Sequence, residues 1–560
     1  MSQRIKNLYT HLIQNRQHEL LGWYEDYKEF SGDVEKIRNN LASTGLREQA
    51  TYNGTSFEGS TNPFDRFIER LIYTKSNGIA SRGQSVLSSD NLNMFKSTNG
   101  FDDIITKIID TPNFDTYNKF KEWWIARKVG YHRVLINRAI AACTTKVSTT
   151  VDEGKFNQIF YWLQKEELID KYQSTEQDWF NKNTFVVDQL DKQLKDVDGF
   201  DEYWRGIFVW ELYENIANPF SLKKQVVKYG SPGTGKTFTA RREAQLLFNI
   251  WKAEFDSSNK LEFNNYIETI QFHPSYTYED FMEGLRPKLK NGLVQLVLQN
   301  GIFKDFCIKA GKWERDIANL PKEIIKKSWS ELTIKDITEI KSELTGGHWN
   351  YIFDIKGASK KLADAVPPFF FIIDEINRAE LSRVFGELMY CLEYRGIGGA
   401  IKTQYTNLNN NDTGMIKIAG SYQFFIPNNV YIIGTMNTID RSVESFDFAL
   451  RRRFKWEEIM PDSTLLYYHL KKINKDKWVK LAENLENLNA KIEKEPLLGR
   501  DFQIGHAYLW NLQYSKNLDI SDVRKAVWDD SIAPLLQEYL RGTGKEDLIV
   551  KLAESFGLKQ

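Results

Sequence analysis

The fold is decided by one stretch of the sequence: Val226-Val227-Lys228-Tyr229-Gly230-Ser231-Pro232-Gly233-Thr234-Gly235-Lys236-Thr237. An apolar run suited to a strand comes first, the pattern GxxxxGK[ST] follows, and residues 238–242 can continue as a helix. In that order the pattern is typical of a phosphate-binding loop, or P-loop. Its glycines let successive backbone N–H groups turn inward around a phosphate, and the start of the helix adds partial positive charge. Residues 230–237 are therefore predicted to bind a nucleotide.

Two side chains of this loop have specific predicted roles. Lys236 is expected to reach the β- and γ-phosphate oxygens, and the Thr237 hydroxyl is expected to ligate Mg²⁺. A glycine-rich turn between a strand and a helix can also occur without a ligand, but here strand, motif and helix all agree. The pattern predicts a nucleoside triphosphate and Mg²⁺ as cofactors.

A second acidic site follows the apolar run at residues 369–373, which suits a central strand buried on both faces. The run ends in Asp374 and Glu375. Asp374 is predicted to hold Mg²⁺, and Glu375 is predicted to polarise the attacking water as general base. Acidic residues often end a strand without any catalytic role, but their position downstream of a P-loop favours the catalytic interpretation.

The rest of the chain is organised around these motifs. Residues 1–200 are predicted to be mostly helical, since apolar residues recur there at helical spacing (Phe64, Phe67, Ile68, Leu71 and Ile72). Further on, short β-branched and aromatic runs alternate with helical patterns, which is typical of a parallel sheet with crossover helices. These runs are residues 225–229, 267–272, 369–373 and 430–434.

The expected fold class is therefore α/β, with a parallel sheet and a helical C-terminal lid. Three domains follow from this pattern. They are an N-terminal recognition domain over residues 1–200, an α/β nucleotide-binding core over 205–460, and a helical lid over 461–560.

Two polar segments follow the last of the predicted strands. AAA+ proteins, which the motifs resemble, place an asparagine such as Asn437 where it orients the attacking water. They also place arginines at the edge that faces a neighbour's nucleotide, where one acts as an arginine finger. Arg452 and Arg453 are the candidates here, although adjacent arginines are usually a solvated basic turn. A finger acting in trans requires an oligomer, most simply a closed ring.

Several segments together resemble the McrB family of AAA+ proteins. Residues 374–379 (DEINRA) and 436–442 (MNTIDRS) are similar to its DEINRA and MNTxDRS signatures, and residues 449–454 (ALRRRF) match a further one. Residues 272–281 (FHPSYTYEDF) are similar to its FHxSYxYEDF segment, and residues 505–509 (GHAYL) lie in its GHxYF region. The resemblance covers about residues 205–545.

This resemblance implies a nucleotide-hydrolysing motor subunit of a modification-dependent restriction complex. Such a subunit assembles a ring, expected to be hexameric, binds modified DNA and recruits a separate McrC-like nuclease subunit. The sequence supports the need for this partner, because Pro461-Asp462 has no ExK behind it to complete a nuclease carboxylate cluster.

The nucleotide is implied to be GTP, whereas AAA+ proteins in general use ATP; of the two we favour GTP. Residues 437–440 (NTID) share the spacing of the guanine-binding NKxD motif. Their place after a central strand fits the water-orienting position better, so Asn437 and Asp440 are both assigned to catalysis.

A basic stretch in the N-terminal region is the candidate DNA-binding surface. Residues 121–150 contain six Lys or Arg and one acid, in a chain whose 75 basic and 75 acidic residues balance. Cations can pair with phosphates while an aromatic ring stacks on an exposed base. The candidates are Arg127, Lys128, Tyr131, His132, Arg133 and Arg138. Alternatively, this stretch buries Trp123 and Trp124 in the core and presents a solvated cationic face.

Composition limits other functions. The three cysteines form no CxxC pair, which argues against a zinc ribbon. No apolar run reaches the roughly 18 residues of a membrane span, so we expect a cytoplasmic protein without a membrane partner.

The alternative function is that of a MoxR-type, ATP-dependent protein-remodelling chaperone, whose N-terminal domain would bind a protein substrate rather than DNA.

Overall fold

The computed structural model describes residues 2–52, 63–73, 77–79, 89–128, 132–217, 224–255, 260–290, 292–355, 357–439, 448–474, 478–512, 519–545 and 547–558. The chain divides into two compact units, Met1–Ser221 and Leu222–Gln560. No helix within the described part of the chain combines the length and apolar character needed to span a membrane.

The N-terminal unit is built from helices in its described residues. They are α1 (Ser2–Leu12), α2 (Gln17–Asn40), α3 (Leu46–Tyr52), α4 (Pro63–Ile68), α5 (Ser89–Ser97), α6 (Phe101–Asp110), α7 (Phe114–Ile125), α8 (Arg133–Cys143), α9 (Glu153–Lys165), α10 (Trp179–Leu194) and α11 (Glu202–Leu212). The apolar positions that predicted a helix near residue 64 are all buried, in α4 and in the π-helical turn Glu69–Tyr73 that follows it.

Side chains at the helix starts explain several of these boundaries. Asn113 accepts a hydrogen bond from the backbone N–H of Thr116 and completes a capping box with it at the start of α7. Asp152 and Asp178 cap α9 and α10 in the same way, by accepting from a backbone N–H in the first turn.

The last helix of this unit, α11, is capped by Asp201 and is buried from Trp204 to Leu212. It packs against α1, α2, α9 and α10. The division between residues 221 and 222 therefore lies later in the chain than the boundary near residue 200 that the sequence suggested.

The second unit contains a five-stranded parallel sheet. Its strands are β1 (Gln225–Gly230), β2 (Ile267–Gln271), β5 (Phe369–Asp374), β8 (Val430–Asn437) and β9 (Lys455–Glu458). Their order across the sheet is β2-β5-β8-β1-β9. Two antiparallel hairpins accompany the sheet: β3 (Glu283–Lys290) with β4 (Leu293–Asn300), and β6 (Ile416–Ile418) with β7 (Ser421–Gln423).

The helices around the sheet are mostly short. They are α12 (Lys236–Phe255), α13 (Tyr278–Phe281), α14 (Ile302–Ala310), α15 (Lys312–Asn319), α16 (Ile334–Glu339), α17 (Asn350–Phe353), α18 (Leu362–Ala365), α19 (Leu381–Phe385), α20 (Leu388–Glu393) and α21 (Phe448–Arg453). The longest, α12, begins directly after the P-loop and contacts β1, β5 and β8.

The C-terminal part is helical and has a core of its own. Its helices are α22 (Ser463–Asn474), α23 (Lys480–Lys494), α24 (Ile520–Val527), α25 (Ala533–Leu540) and α26 (Leu548–Ser555). They enclose a buried apolar cluster that extends from Leu466 to Phe556. The α/β class with a parallel sheet, a helical lid and a helical N-terminal region is thus confirmed.

The sequence did not reveal β9. Its residues Lys455-Trp456-Glu457-Glu458 are mostly charged, although they pair in parallel with β1 at the edge of the sheet. An edge strand needs only one partner and tolerates charged side chains, so it lacks the continuous apolar run that marks a central strand.

Candidate nucleotide site

The P-loop connects the carboxyl end of β1 to the start of α12. Its glycines Gly230, Gly233 and Gly235 have φ values of 152°, 74° and 75°, which side-chain-bearing residues rarely adopt. These dihedrals let the loop fold back on itself before the helix begins. The loop leads directly into the 20-residue helix α12, as a phosphate-binding loop is expected to do.

Lys236 lies buried beneath this loop. Its Nζ donates to the carbonyl oxygens of Ser231 at 2.8 Å and Gly230 at 3.2 Å, and it lies 3.4 Å from Thr234 Oγ1. The ammonium group is therefore held against the loop backbone. Of the eight predicted loop residues, Ser231, Thr234 and Lys236 are the buried polar ones.

The strand order places Asp374, at the carboxyl end of β5, next to the P-loop. The Thr237 hydroxyl donates to Asp374 Oδ1 at 2.7 Å, and the Thr435 hydroxyl donates to the same carboxylate oxygen. Hydroxyl and carboxylate oxygens are the ligands that Mg²⁺ prefers. Thr237 and Asp374 therefore fit the predicted metal site, and Thr435 is a contributor that the sequence did not single out.

Glu375 adopts an unusual backbone conformation at the end of β5. Its φ of 50° and ψ of 48° lie in the left-handed region, where a residue with a side chain is strained. Strain of this kind persists where the surrounding structure enforces it, and it is common at active sites. Asn437 Nδ2 donates to Glu375 Oε1 at 2.7 Å, and Arg378 Nε lies 3.5 Å from Glu375 Oε2.

The parallel register explains why these side chains meet. Asn437 at the end of β8 is paired with Gly230 at the end of β1, and β8 lies between β1 and β5. The carboxyl ends of all three strands therefore lie at one edge of the sheet. The water-orienting candidate Asn437 is located between the P-loop and Glu375, whereas Asp440 lies outside the described residues.

A buried lysine with two carboxylate partners links the P-loop strand to its helix. Lys228 of β1 is fully buried, and its Nζ lies 2.8 Å from Glu243 Oε2 of α12 and 3.2 Å from Glu457 Oε2 of β9. Burial alone would lower the pKa of Lys228, but the two carboxylates outweigh this effect and raise it. Lys228 thus links β1 to α12, the two elements on either side of the P-loop, and also links β1 to β9.

The two candidate finger arginines differ in exposure. Arg453 is 14% exposed and its Nη2 lies 3.1 Å from Glu393 Oε2 of α20, whereas Arg452 is 67% exposed and lies 3.6 Å from the same carboxylate oxygen. A side chain that must reach a neighbouring subunit has to extend from the surface. Arg452 is thus the more accessible of the two.

The basic stretch of the N-terminal unit is only partly on the surface. Arg138 is fully buried in α8, and burial lowers its pKa to about 10. It is therefore not placed to pair with a DNA phosphate, contrary to the expectation from sequence. The alternative interpretation of this stretch expected both tryptophans in the core: Trp124 is fully buried, whereas Trp123 is half-buried.

Other members of the stretch remain accessible. Lys128 and Arg133 are exposed, and Arg133 Nη1 forms an ion pair of 3.1 Å with Glu153. The guanidinium of Arg127 lies over the Trp123 ring, 3.7 Å from its centre. His132 is half-buried, and Tyr131 lies outside the described residues.

Comparisons with known proteins agree with this geometry. The family model described as "AAA domain (dynein-related subfamily)" matches residues 225–454. The model described as "McrB, alpha-helical lid domain" matches residues 480–546. The chain is 31% identical over 407 residues to the "Type IV methyl-directed restriction enzyme EcoKMcrB subunit" of Escherichia coli (strain K12), with 71% of this chain and 69% of that protein covered. The chain belongs to the McrB family of AAA+ proteins.

A second relative is more distant. It is the "Type II restriction enzyme BsuMI component YdiS" of Bacillus subtilis (strain 168), 26% identical over 319 residues that cover 53% of this chain and 77% of that protein. McrB-family membership and the AAA domain make this chain a nucleoside triphosphatase. The resemblance found in the sequence is therefore confirmed.

Proposed function

We propose that this McrB-family protein is the GTP-hydrolysing motor of a modification-dependent restriction complex. In this proposal it assembles a ring, binds modified DNA through its N-terminal unit and recruits a separate McrC-like nuclease subunit. The observation that carries the proposal is the similarity to the E. coli restriction subunit. The two sequences are 31% identical in an alignment that covers 71% of this chain. The protein-remodelling alternative is not favoured by either relative, since both are named as parts of restriction enzymes.

Hydrolysis is assigned to the edge of the sheet where β1, β5 and β8 end. Glu375 accepts a proton from the attacking water, and Asn437, 2.7 Å from its carboxylate, orients that water. Lys236 and the loop N–H groups stabilise the charge that develops on the phosphate. Mg²⁺, held by Thr237 and Asp374, would neutralise the β- and γ-phosphates when bound.

A ring follows from the assignment of Arg452 as the arginine finger. We expect Arg452→Ala to lower the hydrolysis rate by about 10³-fold or more, the usual contribution of such a finger. Mixing this variant with Glu375→Gln should restore activity, because one subunit then supplies the base and its neighbour the arginine. Phosphate release, measured for each variant and for the mixture, checks this prediction.

Arg451→Ala is the matched control, since Arg451 is equally part of the exposed basic turn in α21. It is expected to hydrolyse nucleotide at close to the wild-type rate. A mixture that stays inactive would show that Arg452 does not act in trans.

DNA binding is assigned to the exposed and partly exposed cations of residues 121–150. Each phosphate contact releases counterions, so Arg127→Ala or Arg133→Ala should weaken binding to every sequence and lower the salt slope by about one. The preference for modified over unmodified DNA should not change. The measurement is a salt series with the full chain on methylated and unmethylated duplexes.

Lys36→Ala is the control for these variants, because Lys36 is an exposed lysine of the same unit that lies outside the stretch. If the wild-type chain binds neither duplex at low salt, the DNA-binding part of the proposal is wrong. If Arg127→Ala and Arg133→Ala bind as the wild type does, the surface is elsewhere.

The nucleotide and the nuclease partner are tested separately. Hydrolysis of GTP and ATP by the same preparation tests the preference for GTP. An McrC-like subunit should raise the hydrolysis rate and allow DNA cleavage that the chain alone does not perform. Equal use of both nucleotides, or no effect of the subunit, would contradict the corresponding part of the proposal.

A further inference from the structure

A segment of the lid lies directly on the P-loop. The backbone N–H of Gly505 donates to the Pro232 carbonyl at 3.1 Å, and that of Ala507 donates to the Gly233 carbonyl at 2.8 Å. Tyr508 covers the same place, since a Cβ built on Gly233 would lie 2.6 Å from its ring atom Cε2. We call lid residues 505–508 the clamp.

This approach is possible only because residue 505 is a glycine. A Cβ at Gly505 would lie 2.0 Å from the carbonyl carbon of Gly233, 2.1 Å from its oxygen and 2.5 Å from the Pro232 oxygen. All three are backbone atoms, which cannot turn away as the end of a flexible side chain can. Any larger residue at position 505 must therefore push the clamp off the loop.

The two hydrogen bonds determine which way the loop peptides face. In a planar trans peptide the C=O and N–H groups point in opposite directions. Holding the carbonyls of Pro232 and Gly233 toward the lid therefore turns the N–H groups of Gly233 and Thr234 away from it. A flipped peptide would instead aim a carbonyl oxygen inward, where it would repel a phosphate, and glycine at position 233 makes such a flip sterically easy.

His506 anchors the clamp within the lid. Its Nδ1 accepts a hydrogen bond of 3.0 Å from the backbone N–H of Asp462, which can only donate. The imidazole is buried, and its Nε2 would lie 3.7 Å from a Cβ built on Gly235. The clamp thus lies against Gly233 and Gly235 of the loop. On the lid side, it is held by the hydrogen bond from Asp462.

We propose that the clamp holds the P-loop in its nucleotide-binding conformation, with Gly505 as the positioning residue. The proposal rests on the assignment of residues 230–237 as the phosphate-binding loop. Coupling of this kind is reciprocal: if clamp contact favours nucleotide binding, bound nucleotide must favour clamp contact by the same factor. The state of the nucleotide site would then be transmitted to the lid through the backbone of Pro232 and Gly233.

The test is the affinity of the full-length Gly505→Ala variant for fluorescent GTP and ATP analogues. We expect the dissociation constant to rise about 10- to 100-fold, which is the usual size of an energetic coupling between two sites. Gly398→Ala is the matched control, because a Cβ at Gly398 meets no atom within 4 Å. It is expected to bind like the wild type.

Loss of the lid fold would mimic this result, so a second variant and a second measurement accompany the first. Tyr508→Ala keeps both backbone hydrogen bonds and is expected to raise the dissociation constant less than Gly505→Ala does. Without nucleotide, hydrogen exchange in α22–α26 should be the same in Gly505→Ala and in the wild type, which shows that the lid is folded. Added nucleotide should slow hydrogen exchange at residues 505–508 in the wild type only.

Wild-type affinity in Gly505→Ala would overturn the proposal. So would weakened binding that appears only together with unfolding of the lid, while Tyr508→Ala binds normally. If Lys236→Ala also binds like the wild type, the P-loop assignment fails and the clamp fails with it. If Lys236→Ala loses binding and Gly505→Ala does not, only the clamp is wrong.

Discussion

Lys236→Ala is expected to abolish measurable nucleotide binding, and with it assembly of the ring. The Lys236 ammonium is buried and held against the loop carbonyls, 2.8 Å from the Ser231 oxygen, where it would meet the phosphates. A hydrogen bond between charged groups contributes about 3 kcal/mol. The loss of one such bond corresponds to about 100-fold in the dissociation constant, and Lys236 is expected to reach both the β- and γ-phosphate oxygens. Titration with a fluorescent nucleotide measures the binding, and light scattering measures the assembly.

Two further variants make this prediction specific. Lys236→Met keeps the aliphatic stem and should lose affinity as Lys236→Ala does, which separates the charge from its packing. Lys335→Ala removes an exposed lysine of the same unit and should have no effect. Rings of Lys236→Ala at nucleotide concentrations that suffice for the wild type would show that assembly does not depend on nucleotide binding.

Glu375→Gln is expected to behave in the opposite way, keeping nucleotide binding while losing hydrolysis. A glutamine retains an oxygen that can accept the 2.7 Å hydrogen bond from Asn437, but it cannot take the proton of the attacking water. The rate should fall by about 10²- to 10⁴-fold, the usual contribution of a general base. The variant should accumulate as a stable nucleotide-bound oligomer.

Single-turnover phosphate release and nucleotide affinity, measured on the same preparation, check this prediction. Glu339→Gln is the matched control, because Glu339 is an exposed glutamate of the same unit. Hydrolysis at the wild-type rate in Glu375→Gln would show that another group accepts the proton.

Local chemistry explains why the nucleotide site could be predicted from the sequence. The P-loop needs its glycines, lysine and threonine at fixed spacing, and a central parallel strand needs a continuous apolar run such as Phe369-Phe370-Phe371-Ile372-Ile373. Both requirements lie within a few consecutive residues. The parallel sheet and the family were predicted on this basis and are confirmed, whereas the roles of the individual site residues stay predictions.

The basic stretch shows where reasoning from sequence stops. Arg127, Lys128, Arg133 and Arg138 look equivalent along the chain, yet Arg138 is fully buried while Lys128 and Arg133 are exposed. Which face of a helix is covered depends on the elements that pack against it, and those are far away in sequence. The same holds for Arg452 and Arg453, which are adjacent in the sequence but differ in exposure in the folded chain.

From the sequence alone one can identify the phosphate-binding loop, the acidic end of β5 and the alternation of strand-rich and helical regions along the chain. Only the tertiary structure shows that Thr435 shares a carboxylate oxygen with Thr237, and that the backbone of residues 505–507 holds Pro232 and Gly233. These contacts join segments separated by long stretches of chain. They depend on strand order and on the docking of the lid, which the pattern of apolar residues within one segment cannot encode.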